Sequence, residues 1–119
     1  MTDPDMGPAV ALMHSQPDAP WTVASLAERV AMSRSVFSAR FTALVGKPPL
    51  QYLSEWRMQK ASHLLRTTRD ELKEVAAKVG YESPSAFSKA FTRWAGVAPS
   101  VYRATMTIKS ASGMEWPLA

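Results

Sequence analysis

Residues 33–52, SRSVFSARFTALVGKPPLQY, return fifty residues later as residues 83–102, SPSAFSKAFTRWAGVAPSVY. Nine of the twenty positions are identical. Ser33, Ser35, Phe37, Ser38, Phe41, Thr42, Gly46, Pro49 and Tyr52 fall on Ser83, Ser85, Phe87, Ser88, Phe91, Thr92, Gly96, Pro99 and Tyr102. Each copy reads the same way. A serine is positioned to cap a helix. Two phenylalanines one turn apart mark its buried side. A glycine stops it, and a proline blocks continuation.

Ahead of each serine the offset becomes forty-nine. Val23, Leu26, Ala27 and Val30 match Leu72, Val75, Ala76 and Val79, and Glu82 is the extra residue in the second turn. These residues form apolar faces of two short helices, Val23 to Val30 behind a Thr22 cap, and about Glu71 to Val79. The three residues Ala31-Met32-Ser33 are too few for a loose loop. A short helix, a tight turn and a capped second helix make a helix-turn-helix. The second helices run from Arg34 to about Val45, with Phe37, Phe41 and Leu44 facing inward, and from Pro84, a favoured first residue, to Gly96.

Between the copies, residues 48–67, PPLQYLSEWRMQKASHLLRT, read as one long helix. Leu50, Leu53, Trp56, Ala61, Leu64 and Leu65 supply its apolar side, and Glu55, Arg57, Lys60 and Arg66 its polar side. Twenty residues at ~1.5 Å each give a rod of about 30 Å. That length is close to the ~34 Å between successive major-groove segments on one DNA face, so the helix is expected to space two reading heads. Residues 3–16 read as a first helix, ended by Pro17 and Pro20. Pro99 to Ala104 read as a last one, with a loosely held tail over 105–119 in which Thr105–Lys109 has strand-like alternation but no partner. The expected fold is all-α, with seven helices. It divides into a first helix-turn-helix subdomain (1–47), a linker helix (48–67) and a second subdomain (68–104).

Composition narrows the function classes. The chain has 119 residues, net charge +4 and no cysteine. Disulfides, thiolate metal sites and cysteine nucleophiles are therefore excluded. No apolar run approaches the ~18 residues of a membrane span, and MTDPDMGP has no signal-peptide pattern. No nucleophile–base pair or metal-ligand spacing stands out, so neither an enzyme nor a cofactor is expected. Residues 1–33 carry one basic and four acidic side chains, whereas residues 34–109 carry thirteen and five. A basic body suits a polyanion.

The outward faces of the two capped helices separate groove binding from a plain helical bundle. On the first stand Arg34, Ser35, Ser38, Ala39 and Thr42. On the second stand Pro84, Ser85, Ser88, Lys89, Thr92 and Arg93. Neither face has an acidic residue. Small side chains permit close approach to base edges, and hydroxyls can donate or accept there. The helix starts at Ser33 and Ser83 present backbone N–H groups and a positive dipole end, which suits phosphate.

WRMQKASHLLR followed by VAAKVGYESPSAFSKAFTRWAGVAPSVYR resembles the signature region of AraC/XylS-type bacterial transcription regulators. MSRSVFSARFTALVGKPPLQYL resembles their first helix-turn-helix, and the resemblance covers roughly residues 8–104. It implies a homeodomain-like fold of seven helices, and binding of double-stranded promoter or operator DNA through two successive major-groove segments. It implies base readout by Ser35, Ser38 and Ala39, and by Pro84, Ser85, Ala86 and Lys89. Relatives often carry arginine at positions 39 and 89. Lys89 keeps the charge; Ala39 can touch a thymine methyl but cannot read guanine in bidentate fashion. The family further implies a cytoplasmic, nucleoid-associated activator, with RNA polymerase and a separate sensor or dimerisation domain as partners. A helical protein-interaction module docking on polymerase or a sensor domain is the competing reading.

Some residues have more than one reading. Arg34 and Arg40 suit phosphate contacts, with a structural surface role the alternative for Arg40. Arg57 is expected to bridge to a carboxylate within the fold or to touch phosphate. Arg103 is expected to tie down the last helix, and Tyr52 and Tyr102 to brace the elements after each recognition helix. His14 reads as a cap or surface residue, and His63 as solvated. Trp94 and Trp116 have no assignable role.

Overall fold

The computed structural model describes residues 6–111, with side chains over 6–106. It contains seven helices: α1 (Met6–Ser15), α2 (Val23–Arg29), α3 (Arg34–Val45), α4 (Pro49–Thr67), α5 (Leu72–Lys78), α6 (Pro84–Ala95) and α7 (Pro99–Ala111). There is no strand among the described residues. The chain forms two compact units that divide between Arg57 and Met58, inside α4. Asp3 and Asp5, placed in the first helix by the sequence pattern, and Trp116 lie outside the described residues.

Local chemistry sets the helix ends. Thr22 Oγ1 accepts from the Ser25 amide at 3.0 Å while the Thr22 amide donates to Ser25 Oγ at 2.9 Å, a reciprocal capping box. Ser33 Oγ accepts from the Val36 amide at 3.3 Å, and Ser83 Oγ from the Ala86 amide at 3.1 Å. Such a cap contributes about 1 kcal/mol. Gly46 and Gly96 end α3 and α6 in the left-handed region, at φ 90° and 84°. Their amides donate to Thr42 O and Thr92 O, each at 2.8 Å. A side chain there would be strained.

In the first unit, Met6, Ala9, Val10 and Met13 of α1 pack with Leu26 and Ala27 of α2, Phe37 and Phe41 of α3 and Leu53 of α4. In the second, Met58, Ala61 and Leu65 of α4 pack with Val75 and Ala76 of α5 and its C-cap residue Val79, with Phe87 and Phe91 of α6, and with Tyr102 and Met106 of α7. The repeated aromatics have repeated geometry. Phe37 and Phe41 lie 5.7 Å apart, and Tyr52 meets Phe41 edge-on at 5.6 Å. Phe87 and Phe91 also lie 5.7 Å apart, and Tyr102 meets Phe91 edge-on at 5.3 Å. Edge-to-face packing of this kind stabilises by about 0.5–1.5 kcal/mol beyond burial.

Two arginines fasten the segment entering each helix-turn-helix. Arg57 Nε donates to Pro17 O at 2.7 Å and Nη2 to Ala19 O at 2.9 Å. Arg103 Nε donates to Leu65 O at 3.1 Å, Nη1 to Asp70 O at 2.7 Å and Nη2 to Thr68 O at 3.3 Å. Both satisfy backbone carbonyls where a helix has ended, and a planar guanidinium can reach several at once. Arg103 thus ties down the last helix, as expected. Arg57 holds the fold together through these carbonyls.

Several expectations are corrected. α7 continues to Ala111 where the sequence pattern ended it at Ala104, and Thr105–Lys109 are helical rather than strand-like. Met106, one turn beyond Tyr102, is buried and draws the helix onward. Leu44 is 51% exposed. Val45, four residues after Phe41, is the one packed against the core instead, half-buried, and Ala95, four after Phe91, is buried. Leu50 is also exposed, and Trp56 only half-buried, while Met58 holds a core position that the pattern missed. Two boundaries shift: α2 ends at Arg29, and α5 starts at Leu72 with Glu71 as its N-cap residue.

Candidate nucleic-acid interface

Each second helix turns its phenylalanines inward and so fixes what it turns outward. Phe37, Phe41, Phe87 and Phe91 are fully buried. At 100° per residue, the positions opposite them are 35, 36, 39, 42 and 43 on α3, and 85, 86, 89, 92 and 93 on α6. Burying such a pair anchors the helix strongly; losing one phenylalanine costs about 3–5 kcal/mol.

The expected site residues fall mostly on these faces. Ser33, Arg34, Ser35, Ala39 and Thr42 are exposed, as are Pro84, Ser85, Ala86, Lys89, Thr92 and Arg93. Ser38, Ser83 and Ser88 are half-buried. Ser88, Lys89, Thr92 and Arg93 line one shallow concavity. Within each unit the set is therefore brought to one face of one helix. Two details narrow the chemistry. The oxygens of Ser33 and Ser83 are engaged as caps, so these residues place the helix start. The capped amides belong to Val36 and Ala86, and Pro84 has no N–H, so the N-terminal donors for an anion are fewer on α6.

Two residues on the outward face of α3 escaped the sequence reading. Val36 is 49% exposed, and Ala43 is exposed as well. Both share the face with Ala39, at spacings of three and four. The signal was available in that spacing, but valine and alanine count as core residues by composition.

The turns that present these helices are tight. Ala31 lies at φ 58° between α2 and α3, and Gly80 at φ 90° between α5 and α6. The Met32 amide donates to Ala27 O and the Tyr81 amide to Ala76 O, each at 2.9 Å. Ahead of the second turn, Lys78 Nζ donates to Asp70 Oδ2 at 2.6 Å, which raises the Lys78 pKa. In the first unit, Lys47 Nζ donates to Glu55 Oε1 at 2.6 Å, which lowers the Glu55 pKa.

His14, in the last turn of α1, packs against α4. Its ring stacks on Trp56 at 4.0 Å, and its Nε2 is hydrogen-bonded to Tyr52 Oη at 2.7 Å. Burial lowers the His14 pKa from 6.5 and raises that of Tyr52 from 10.0. Tyr52 and Tyr102 pack against α3 and α6 through Phe41 and Phe91, and His63 is exposed. Trp94 packs on Phe91. Among the described residues no cluster of His, Asp or Glu could hold a metal ion, and no helix is long and apolar enough to cross a membrane.

A helix-turn-helix domain family matches residues 26–105. The HTH-type transcriptional regulator AlkR of Acinetobacter baylyi is 43% identical over 100 residues, which are 84% of this chain and 33% of AlkR. The RCS-specific HTH-type transcriptional activator RclR of Escherichia coli is 37% identical over 100 residues, 84% of this chain and 35% of RclR. The chain spans about a third of the length of the curated relatives it matches. Among solved structures, the DNA-binding domain of the global transcriptional factor AdpA, in complex with a target DNA, superposes with a TM-score of 0.84 at 34% identity. That match covers 90% of this chain and 96% of the other. The C-terminal domain of AraT, a response regulator from Geobacillus stearothermophilus, gives 0.83 at 31% identity, covering 87% and 86%. The chain belongs to the helix-turn-helix family of AraC-type transcription regulators, and its fold is that of their DNA-binding domains.

Proposed function

We propose that this chain binds double-stranded DNA sequence-specifically and regulates transcription, with α3 and α6 as two recognition helices entering successive major-groove segments. The observation that carries this reading is the repetition of one device. Twice, a serine-capped helix follows a tight turn, buries two phenylalanines and exposes an acid-free face, made of small, hydroxylated or basic residues apart from Val36. Direct base contacts come from Ser35, Ser38 and Ala39, and from Pro84, Ser85, Ala86, Ser88 and Lys89. Thr42, Thr92, Arg34 and Arg93 flank them within reach of phosphate. Ser33 and Ser83 set the helix starts. Functionally, residues 1–47 and 68–104 are the two reading subdomains, and 48–67 the connection.

The role is recognition rather than catalysis, without a cofactor. The setting is the bacterial cytoplasm and its nucleoid. RNA polymerase and an N-terminal sensor or dimerisation domain are the proposed protein partners, and activation is the proposed mode.

Fluorescence anisotropy with double-stranded DNA from candidate promoters, at several salt concentrations, tests the reading. Affinity should fall with salt by a log–log slope of about −0.9 for each phosphate neutralised, and should differ between sequences. A slope near zero, or equal affinity for all sequences, would overturn it. Capture of RNA polymerase without any DNA binding would favour a protein-interaction module instead.

A further inference from the structure

The internal repeat gives each recognition helix a built-in comparison. On α6, the outward stripe at spacings of three and four is Ala86, Lys89 and Arg93. On α3, the same stripe is Val36, Ala39 and Ala43. All six residues are exposed. Two cations in one copy are thus replaced by methyl groups in the other, and the only large apolar side chain on either stripe is Val36, at 49% exposure.

Val36 is placed where a base reader belongs. It lies in the first turn of α3, its amide held by Ser33 Oγ at 3.3 Å. Residues near the start of a recognition helix are those that meet base edges. Its branched side chain is stiff at χ1, so little freedom is lost when it makes a contact. It carries no hydrogen-bonding group. In the major groove the one feature that such a side chain can recognise is the thymine C5-methyl group. Lys89, by contrast, can donate to guanine O6 and N7.

We infer that Val36 is a specificity-determining residue, and that α3 selects thymines by their methyl groups while α6 selects guanine through Lys89. The inference rests on the DNA-binding reading above and gives it a chemical asymmetry: one methyl-read segment and one guanine-read segment. Ala39 and Ala43 extend the apolar stripe along the groove.

The experiment uses a site selected from random DNA, with each thymine replaced in turn by deoxyuridine, which lacks only the methyl group. Binding is measured for the wild-type chain and for Val36→Ala, whose helicity is checked by circular dichroism. At one or more positions, deoxyuridine should weaken wild-type binding by about fourfold, the worth of one buried methyl group. The same replacement should leave Val36→Ala binding unchanged. Replacing guanine by 7-deazaguanine should weaken binding elsewhere in the site, in a way that depends on Lys89 and not on Val36. Specific binding with no thymine-methyl sensitivity, or sensitivity that persists in Val36→Ala, would overturn the inference and leave the DNA-binding reading standing. Absence of any specific binding would overturn both. A Val36→Ala effect on self-association or protein capture, with DNA affinity and deoxyuridine sensitivity unchanged, would assign the stripe to a protein partner instead.

Discussion

Ala31 and Gly80 stand at the same step of the two tight turns, and both adopt a left-handed backbone, at φ 58° and φ 90°. The geometry of a helix-turn-helix corner demands this conformation, and the second copy meets it with the residue that adopts it freely. The first copy meets it with alanine, for which the left-handed region costs about 1–2 kcal/mol.

Ala31→Gly should therefore stabilise the first unit, by about 0.5–1 kcal/mol after the greater chain entropy of glycine is subtracted. Gly80→Ala should destabilise the second by about 1 kcal/mol. Urea unfolding followed by circular dichroism checks both. Loss of stability in Ala31→Gly would show that alanine is not strained there.

The two arginine clamps should fail when the guanidinium fork is lost, even though charge is kept. Lysine is a point donor and cannot reach two or three carbonyls in one plane. Arg57→Lys and Arg103→Lys should each cost about 1–3 kcal/mol. The orphaned carbonyls are Pro17 O and Ala19 O in the first case, and Leu65 O, Thr68 O and Asp70 O in the second. Unchanged unfolding midpoints would contradict the structural role.

Much of this architecture is legible in the sequence because its determinants are local. Thr22, Ser33, Ser83, Gly46 and Gly96 act within one turn of themselves, and Phe37 and Phe41 announce a buried face by their spacing. What stays hidden depends on distant partners. The carbonyls held by Arg57 lie 38 and 40 residues away. Spacing alone does not say which neighbour of Phe41, Leu44 at three residues or Val45 at four, faces the core. Met58 sits between Arg57 and Gln59 and looks polar in context. The extension of α7 rests on Met106 amid β-branched Thr105, Thr107 and Ile108, which weaken a helical signal. On the interface, Val36 was missed because an isolated valine reads as core until its exposure is known.

His14 links the first unit to pH. Burial of the ring lowers its pKa below 6.5. The neutral form is therefore favoured in the folded state, while the unfolded chain takes up the proton at the ordinary value. The stabilisation is present above pH ~6.5 and is lost as pH falls through the folded value. An NMR titration of the His14 ring should give a midpoint below 6.5, and wild-type stability should fall more than that of His14→Gln between pH 7.5 and pH 5, values chosen to bracket the ordinary histidine pKa of ~6.5. A midpoint above 6.5 would mean that the imidazolium is held by its stacking on Trp56 rather than disfavoured by burial.

Lys89→Ala should weaken specific binding by about five- to a hundredfold and relax base preference at the positions α6 reads, in line with about 1–3 kcal/mol for a lost base contact. Anisotropy on the selected site and on single-base variants measures both effects. A uniform loss across all sequences would make Lys89 a phosphate contact instead. Unchanged affinity would remove α6 as a reading helix.

The most direct measurement is selection of bound sites from random double-stranded DNA, followed by sequencing. Two reading helices on this chain predict two enriched segments about one helical turn apart, roughly 10 base pairs from centre to centre. Recovery of such a bipartite site would bear out the central claim. Recovery of no enriched sequence, or of a single short segment with no second one at that spacing, would contradict it.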